Sequence, residues 1–204
     1  KIAYKDGYRT AFVELYDGKA GPLDQYENGQ LLAQMLEKIS AHFGGEKVNI
    51  VAHSKGGVDT QVAVTYYDAH RFVDKIITIA SPHHGCVLAD LFHSWYGSWL
   101  RKALNLEGKG VFAMQTGTMA QFRELTDSNP NITKNKYYTA SGTNWGPRLS
   151  LLWCGGCYLS QFGENDGIIC ESSTHLPYAE HLFKADLDHD SLRKGSCIWD
   201  KIEP

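Results

Sequence analysis

Val51-Ala52-His53-Ser54-Lys55-Gly56-Gly57 lies between an apolar run at residues 47–52 and a stretch at 57–68 with the composition of a helix. It matches the strand–turn–helix pattern G-x-S-x-G, with Ala52 in place of the first glycine. The turn from strand to helix is so sharp that the positions two before and two after the serine must be nearly free of side chain. Alanine is small enough to keep it. The serine itself is expected in a strained backbone region that exposes its hydroxyl. A helix beginning at this point aims backbone N–H groups and its positive dipole end at whatever the serine attacks. The N–H of Lys55 is therefore the first candidate to hold an oxyanion.

Working outward, strand-like and helix-like stretches alternate. Residues 8–15 form a short apolar run after Gly7 and read as a buried strand. Asp24 and Glu27 have capping-box spacing, and Leu31, Leu32, Met35, Leu36 and Ile39 then share one face of a helix that stops at Gly44-Gly45. Residues 73–80 and 136–142 read as further strands, and 167–170 as a short one. Strands alternating with helices predict a mostly parallel sheet with helices on both faces, an α/β class fold. Between Cys86 and Lys134 the pattern breaks. Trp95, Tyr96, Trp99, Leu100, Leu104 and Leu106 crowd a segment too long for an ordinary loop, which should carry its own helices.

The whole chain narrows the function. Its 204 residues suit a single domain, and 43% hydrophobic against 21% charged residues allow a packed core. A net charge of −3 gives neither a nucleic-acid footprint nor a polybasic membrane patch, and no apolar run is long enough for a spanning helix. The five cysteines are Cys86, Cys154, Cys157, Cys170 and Cys197. Cys154-Gly-Gly-Cys157 is the one close pair, in a segment (151–158) that reads as a loop. No second pair completes a zinc site, and disulfide, plain core residue and idle thiol all stay open.

A serine hydroxyl needs a base to take its proton, and the base needs an acid to fix its tautomer. In a fold with this turn the chain order is serine, acid, histidine. Among the histidines after Ser54, His175 precedes a stretch that reads as helix and His181 sits within it, so both read as surface or packing residues. His189, in Leu187-Asp188-His189-Asp190 after the apolar Leu182-Phe183, reads as the base. Asp166, in Gly163-Glu164-Asn165-Asp166-Gly167, reads as the acid in a turn before an apolar stretch, with Glu164 as its nearby rival.

These segments, with Ala80-Ser81-Pro82-His83-His84-Gly85, Ala89-Asp90 and Ser141-Gly142-Thr143, come in an order that resembles the bacterial triacylglycerol lipases of the α/β-hydrolase superfamily, the Bacillus and Burkholderia/Pseudomonas groups. The resemblance runs from about residue 7 to the end of the chain. It implies a single α/β-hydrolase domain over residues 1–204 with a lid or cap insertion at 86–134. It implies Ser54, Asp166 and His189 as the catalytic triad, an ester or lipid substrate met at a lipid–water interface, and a secreted enzyme. Lys55 stands where Met or Gln is usual, although only its N–H is needed. The His-Gly oxyanion loop of such lipases has no match here. The strand and loop that carry it are expected before Lys1, so the second oxyanion donor is unassigned. Some of these lipases hold calcium or zinc. Asp24, His83, His84 and Asp190 are ligands by residue type without forming a constellation, so no metal and no cofactor is assigned, with structural calcium left open. A polyhydroxyalkanoate depolymerase with the same triad and a non-catalytic α/β-hydrolase binding module are the alternatives.

Overall fold

The structure is a computed structural model and describes residues 2–15, 23–95, 97 and 109–202. Four strands, β1 (Val48–His53), β2 (Val73–Ile79), β3 (Lys136–Gly142) and β4 (Ala179–Ala185), form one sheet in the order β1-β2-β3-β4. Every pairing is parallel. Along β2 the side chains alternate. Ile76 faces a core shared with Leu32, Leu36, Ala63 and Val64, whereas Ile77 and Ile79 face one shared with Leu192, Ile198 and Ile202. A strand buried on both faces has this composition because each face must be covered by helices.

The first face carries α2 (Gln25–His42) and α3 (Lys55–Tyr66). The opposite face carries two short C-terminal helices, defined below as they follow β4. Asp24 caps α2 as its spacing predicts. Its carboxylate accepts from the N–H groups of Tyr26 and Glu27, and Glu27 accepts in return from the N–H of Asp24. The two helices then pack so closely at Gly29 that a Cβ there would meet Val62 Cγ1 at 2.4 Å.

A helical segment follows β2, as the break in pattern predicts. It comprises α4 (Val87–His93), α5 (Lys109–Ala113) and α6 (Thr116–Asp127). Leu88, Met114, Met119 and Phe122 join Val58 and Val62 of α3 in a third apolar cluster, with Leu91 and Phe92 packed against it. Tyr96, Trp99, Leu100, Leu104 and Leu106 lie outside the described residues. After β3 comes α7 (Leu151–Leu159), and after β4 come α8 (His189–Leu192) and α9 (Gly195–Ile202). Ahead of α2 lies the one-turn helix α1 (Ile2–Lys5).

Four local expectations need correction. Residues 8–15 form no strand and are largely exposed, with Phe12 at 81%. An apolar run becomes a strand only with a ladder partner, and this one packs Tyr8 edge-on against Trp199 of α9 instead. The region of His181 is strand β4, where helix was expected. Residues 151–158 lie in a helix, not a loop. Their two glycines serve packing: a Cβ at Gly155 would meet the carbonyl of Gly167 at 2.2 Å, and one at Gly156 the Trp145 ring at 2.2 Å. Residues 167–170 form a tight turn closed by an isolated antiparallel bridge between Asn165 and Cys170, not a strand.

Candidate active site

Ser54 occupies the junction between β1 and α3 with φ 55° and ψ −134°, a region that L-residues avoid. Two bonds hold it there: its N–H donates to the carbonyl of Ile79 at 2.9 Å, and its own carbonyl accepts from Gly57 N–H at 3.0 Å. The small residues around it play unequal parts. A Cβ at Gly56 would only touch Ala52 at 4.0 Å, but one at Gly57 would lie 2.2 Å from Ser81 Oγ. The tightest demand for glycine is thus three residues after the serine, where α3 crosses the end of β2.

Three loops at the C-terminal ends of parallel strands converge on this serine. His189 begins α8, just after β4, and its Nε2 lies 3.0 Å from Ser54 Oγ. Its Nδ1 lies 2.7 Å from Asp166 Oδ2. Asp166 is 1% exposed. Its other oxygen accepts from the N–H groups of Ile168 (3.0 Å) and Ile169 (2.8 Å). The backbone repeats the link, with His189 N–H donating to the Asp166 carbonyl at 2.9 Å. A carboxylate held in this way orients the imidazole so that Nδ1 carries the proton and Nε2 faces the serine.

His53 adds a contact that its place in the sequence does not reveal. Its ring lies 4.6 Å from that of His189, and its Nε2–H donates to the His189 carbonyl at 2.9 Å. Burial, then the neighbouring His189, lowers its pKa from 6.5 to about 4, so it is neutral in ordinary buffers. Lys55 opens α3, and its amide belongs to the first turn, whose N–H groups have no intrahelical acceptor. Its ammonium turns away to Asp59 at 2.6 Å, a buried carboxylate that also accepts from Asn28.

A family model described as a PGAP1-like alpha/beta domain matches residues 23–109. The mature form of the Bacillus licheniformis lipase BlEst2 superimposes with a TM-score of 0.90 at 41% identity, over 97% of this chain and 79% of that one. The chain belongs to this lipase family of the α/β-hydrolase superfamily. Triacylglycerol lipase 2 of Saccharomyces cerevisiae is 22% identical over 161 residues, which are 78% of this chain and 49% of the yeast protein. The chain thus spans about half the length of that curated relative. The metagenomic carboxyl esterase MGS0156, at 20% identity and a TM-score of 0.69, shares the fold.

The other residues singled out from sequence have partners of their own. Glu164, the rival acid, is exposed and pairs with Lys184 at 2.6 Å. His83 is fully buried between Thr78 Oγ1 (2.9 Å) and Gln61 Oε1 (3.1 Å), and burial holds its pKa well below the usual value. His84 Nε2 donates to the carbonyl of His175 at 3.0 Å. Asp190 pairs with Arg193 and Lys194, and Asp188 caps α8. Asp24, His83, His84 and Asp190 therefore do not assemble into a metal site. All five cysteines are free thiols: Cys86 and Cys170 are buried, and burial pushes the Cys86 thiol up to about 12. Cys154 and Cys157 are exposed on α7. No helix among the described residues is long and apolar enough to cross a membrane.

Proposed function

We propose that this protein hydrolyses carboxylic ester bonds of lipids through an acyl-enzyme formed on Ser54. The observation that carries the reading is the unbroken chain Ser54 Oγ–His189 Nε2 (3.0 Å) and His189 Nδ1–Asp166 Oδ2 (2.7 Å). As Ser54 Oγ attacks the ester carbonyl, its proton passes to His189 Nε2, and Asp166 stabilises the imidazolium without taking a proton. The carbonyl oxygen becomes an oxyanion, met by the N–H of Lys55 and the positive end of α3. The tetrahedral species collapses, the C–O bond to the alcohol breaks, and His189 gives its proton to the departing alkoxide. Water then enters, loses a proton to His189 and attacks the acyl carbonyl. Carboxylic acid leaves as Ser54 regains its hydrogen. Every step uses groups of this chain and water.

Kinship and a set of exposed apolar side chains support the substrate class. Trp95, Phe112, Leu149 and Leu151 are exposed. The ring of His93, the last residue of α4, meets Phe112 edge-on, and Gly146, three residues before Leu149, packs against Asp188 next to His189. We read the segment over 86–134 as a cap anchored through α4 and α6, whose outer apolar side chains meet a lipid–water interface. Labelling with a fluorophosphonate tests the chemistry. The expected result is one adduct, on the peptide containing Ser54, with parallel loss of p-nitrophenyl butyrate turnover. An unlabelled Ser54 in folded protein that turns over no ester would make the chain a binding module.

A further inference from the structure

Behind the acid turn, on the far edge of the sheet, lies a second group of polar side chains that the hydrolytic chemistry does not use. We propose that Glu171, His175 and His181 bind one divalent transition ion of the zinc type, with water as the fourth ligand. One ligand atom from each lies within 4.8 Å of the other two. Glu171 Oε1 and His175 Nε2 are already 2.7 Å apart. The His175 and His181 rings lie against each other, tilted by 39°, with centroids 4.3 Å apart. Tetrahedral zinc at about 2.1 Å from each ligand wants donors roughly 3.4 Å apart. Small side-chain rotations suffice, opening the first pair and closing the rest.

The ligand chemistry and its surroundings favour this ion. Two imidazoles and one carboxylate suit zinc rather than calcium or magnesium, which take oxygen. A metal-bound imidazole needs an acceptor for its second ring nitrogen. His181 has one either way it turns: Thr139 Oγ1 is 2.9 Å from Nδ1 and Ser141 Oγ is 3.2 Å from Nε2. His175 is fixed through its carbonyl by His84 Nε2–H. All three ligands are partly exposed, which gives an ion a way in and a place for water.

Such an ion would join two parts of the chain that position the catalytic groups. Glu171 follows the turn that holds Asp166, and its N–H donates to the Glu164 carbonyl at 2.8 Å. His181 lies on edge strand β4, which leads into the loop bearing His189. The ion is thus a staple between the acid's turn and the base's strand.

The probe is cobalt(II) chloride added to the full chain carrying Cys154→Ser and Cys157→Ser, so that the exposed thiols on α7 do not compete. One cobalt per chain should give visible d–d bands without a thiolate charge-transfer band. Zinc chloride should displace it and raise the unfolding temperature. His175→Ala and His181→Ala should each weaken zinc binding by more than the roughly 10–100-fold expected for loss of an outer partner, and Thr139→Val should fall within that range. Ser54→Ala should bind zinc unchanged, which separates this site from the hydrolytic reading. Where His181→Ala does not fold, His175→Ala decides. Cobalt that does not bind, or that binds equally to both histidine variants, would leave Glu171–His175 and the neighbouring rings as plain packing and end the proposal.

Discussion

Ser54 is held at a backbone angle it would not choose, and the chain spends two hydrogen bonds and a close glycine contact to keep it there. That expense is intelligible if Ser54 is the nucleophile, and substitution tests the point. Ser54→Ala, His189→Ala and Asp166→Asn should each lower kcat for a soluble ester by about 10⁴-fold or more. Pairs of these substitutions should cost little beyond one, because the three act as a unit. Glu164→Ala, on an exposed carboxylate paired with Lys184, should stay near the parent rate. A Glu164→Ala variant as inactive as Asp166→Asn would reassign the acid. The convergence of Ser54, Asp166 and His189 was legible because a strand–serine–helix turn, an Asp-Gly turn and a late histidine have local signatures in a fixed chain order. His53 was not legible as a neighbour of His189, since that contact joins residues 136 apart. It has its own consequence. The folded pKa of His53 is about 4 and that of an unfolded histidine about 6.5, so above the higher value neither form is charged and nothing changes. As pH falls from about 6.5 towards 4, the unfolded chain takes a proton that the fold refuses, and stability declines by up to about 3 kcal/mol. Fully buried His83 acts in the same direction. Urea midpoints measured across that window should fall with pH in the parent and fall less steeply in His53→Gln. Identical slopes would mean that His53 is protonated as readily folded as unfolded.

The helix α2 shows how far local pattern carries and where packing takes over. Its start was legible from Asp24 and Glu27, because a cap is satisfied within one turn of chain. Asp24→Ala should therefore cost about 1 kcal/mol in chemical denaturation. Gly29, in the middle of the same helix, gives the opposite lesson. By propensity alone, Gly29→Ala should gain up to about 1 kcal/mol. The Cβ would lie 2.4 Å from Val62 Cγ1, so α2 must lift off α3, and overpacking of this kind costs about 1–3 kcal/mol. The expected net result is a lower urea midpoint, and a higher one would show that the helices have room to move apart. Gly155 and Gly156 mislead in the same way. In sequence they suggest a loop, yet they are helical and lie against Gly167 and Trp145. Residues 8–15 and 179–185 were misread because strand identity depends on a partner. The first run has no ladder, whereas the second pairs with β3 although its burial does not alternate strictly: Glu180 and Lys184 are exposed, the other five residues are half-buried, and the register shifts between Thr139 and Ala140.

At the scale of the whole molecule, parallel strands place their C-terminal ends on one side, and the turns after β1, β3 and β4 meet there. That much of the fold was legible from alternating strand-like and helix-like runs. The behaviour of the segment after β2 was not. A run of Leu88, Leu91, Phe92 and Trp95 reads equally as a lid face or as core. In the fold Leu88 is buried, with Leu91 and Phe92 packed against the cluster under α3, so α4 is anchored. Trp95, two residues past its end, is 89% exposed, and Trp99 lies outside the described residues. Any interfacial role therefore belongs to side chains beyond α4 and to Leu149 and Leu151 near the His189 loop. Each large apolar side chain moved from water into lipid is worth roughly 1.5–3 kcal/mol, so three of them can concentrate the enzyme on droplets without altering Ser54, Asp166 or His189. Tributyrin hydrolysis followed across its solubility limit separates the two readings. The expected curve rises sharply once droplets form. The triple variant Trp95→Ser, Leu149→Ser, Leu151→Ser should lose most of that rise while keeping its turnover of monomeric p-nitrophenyl butyrate. A smooth saturation curve that ignores the droplets, unchanged in the variant, would make this segment a fixed cap and the protein an esterase of soluble substrates.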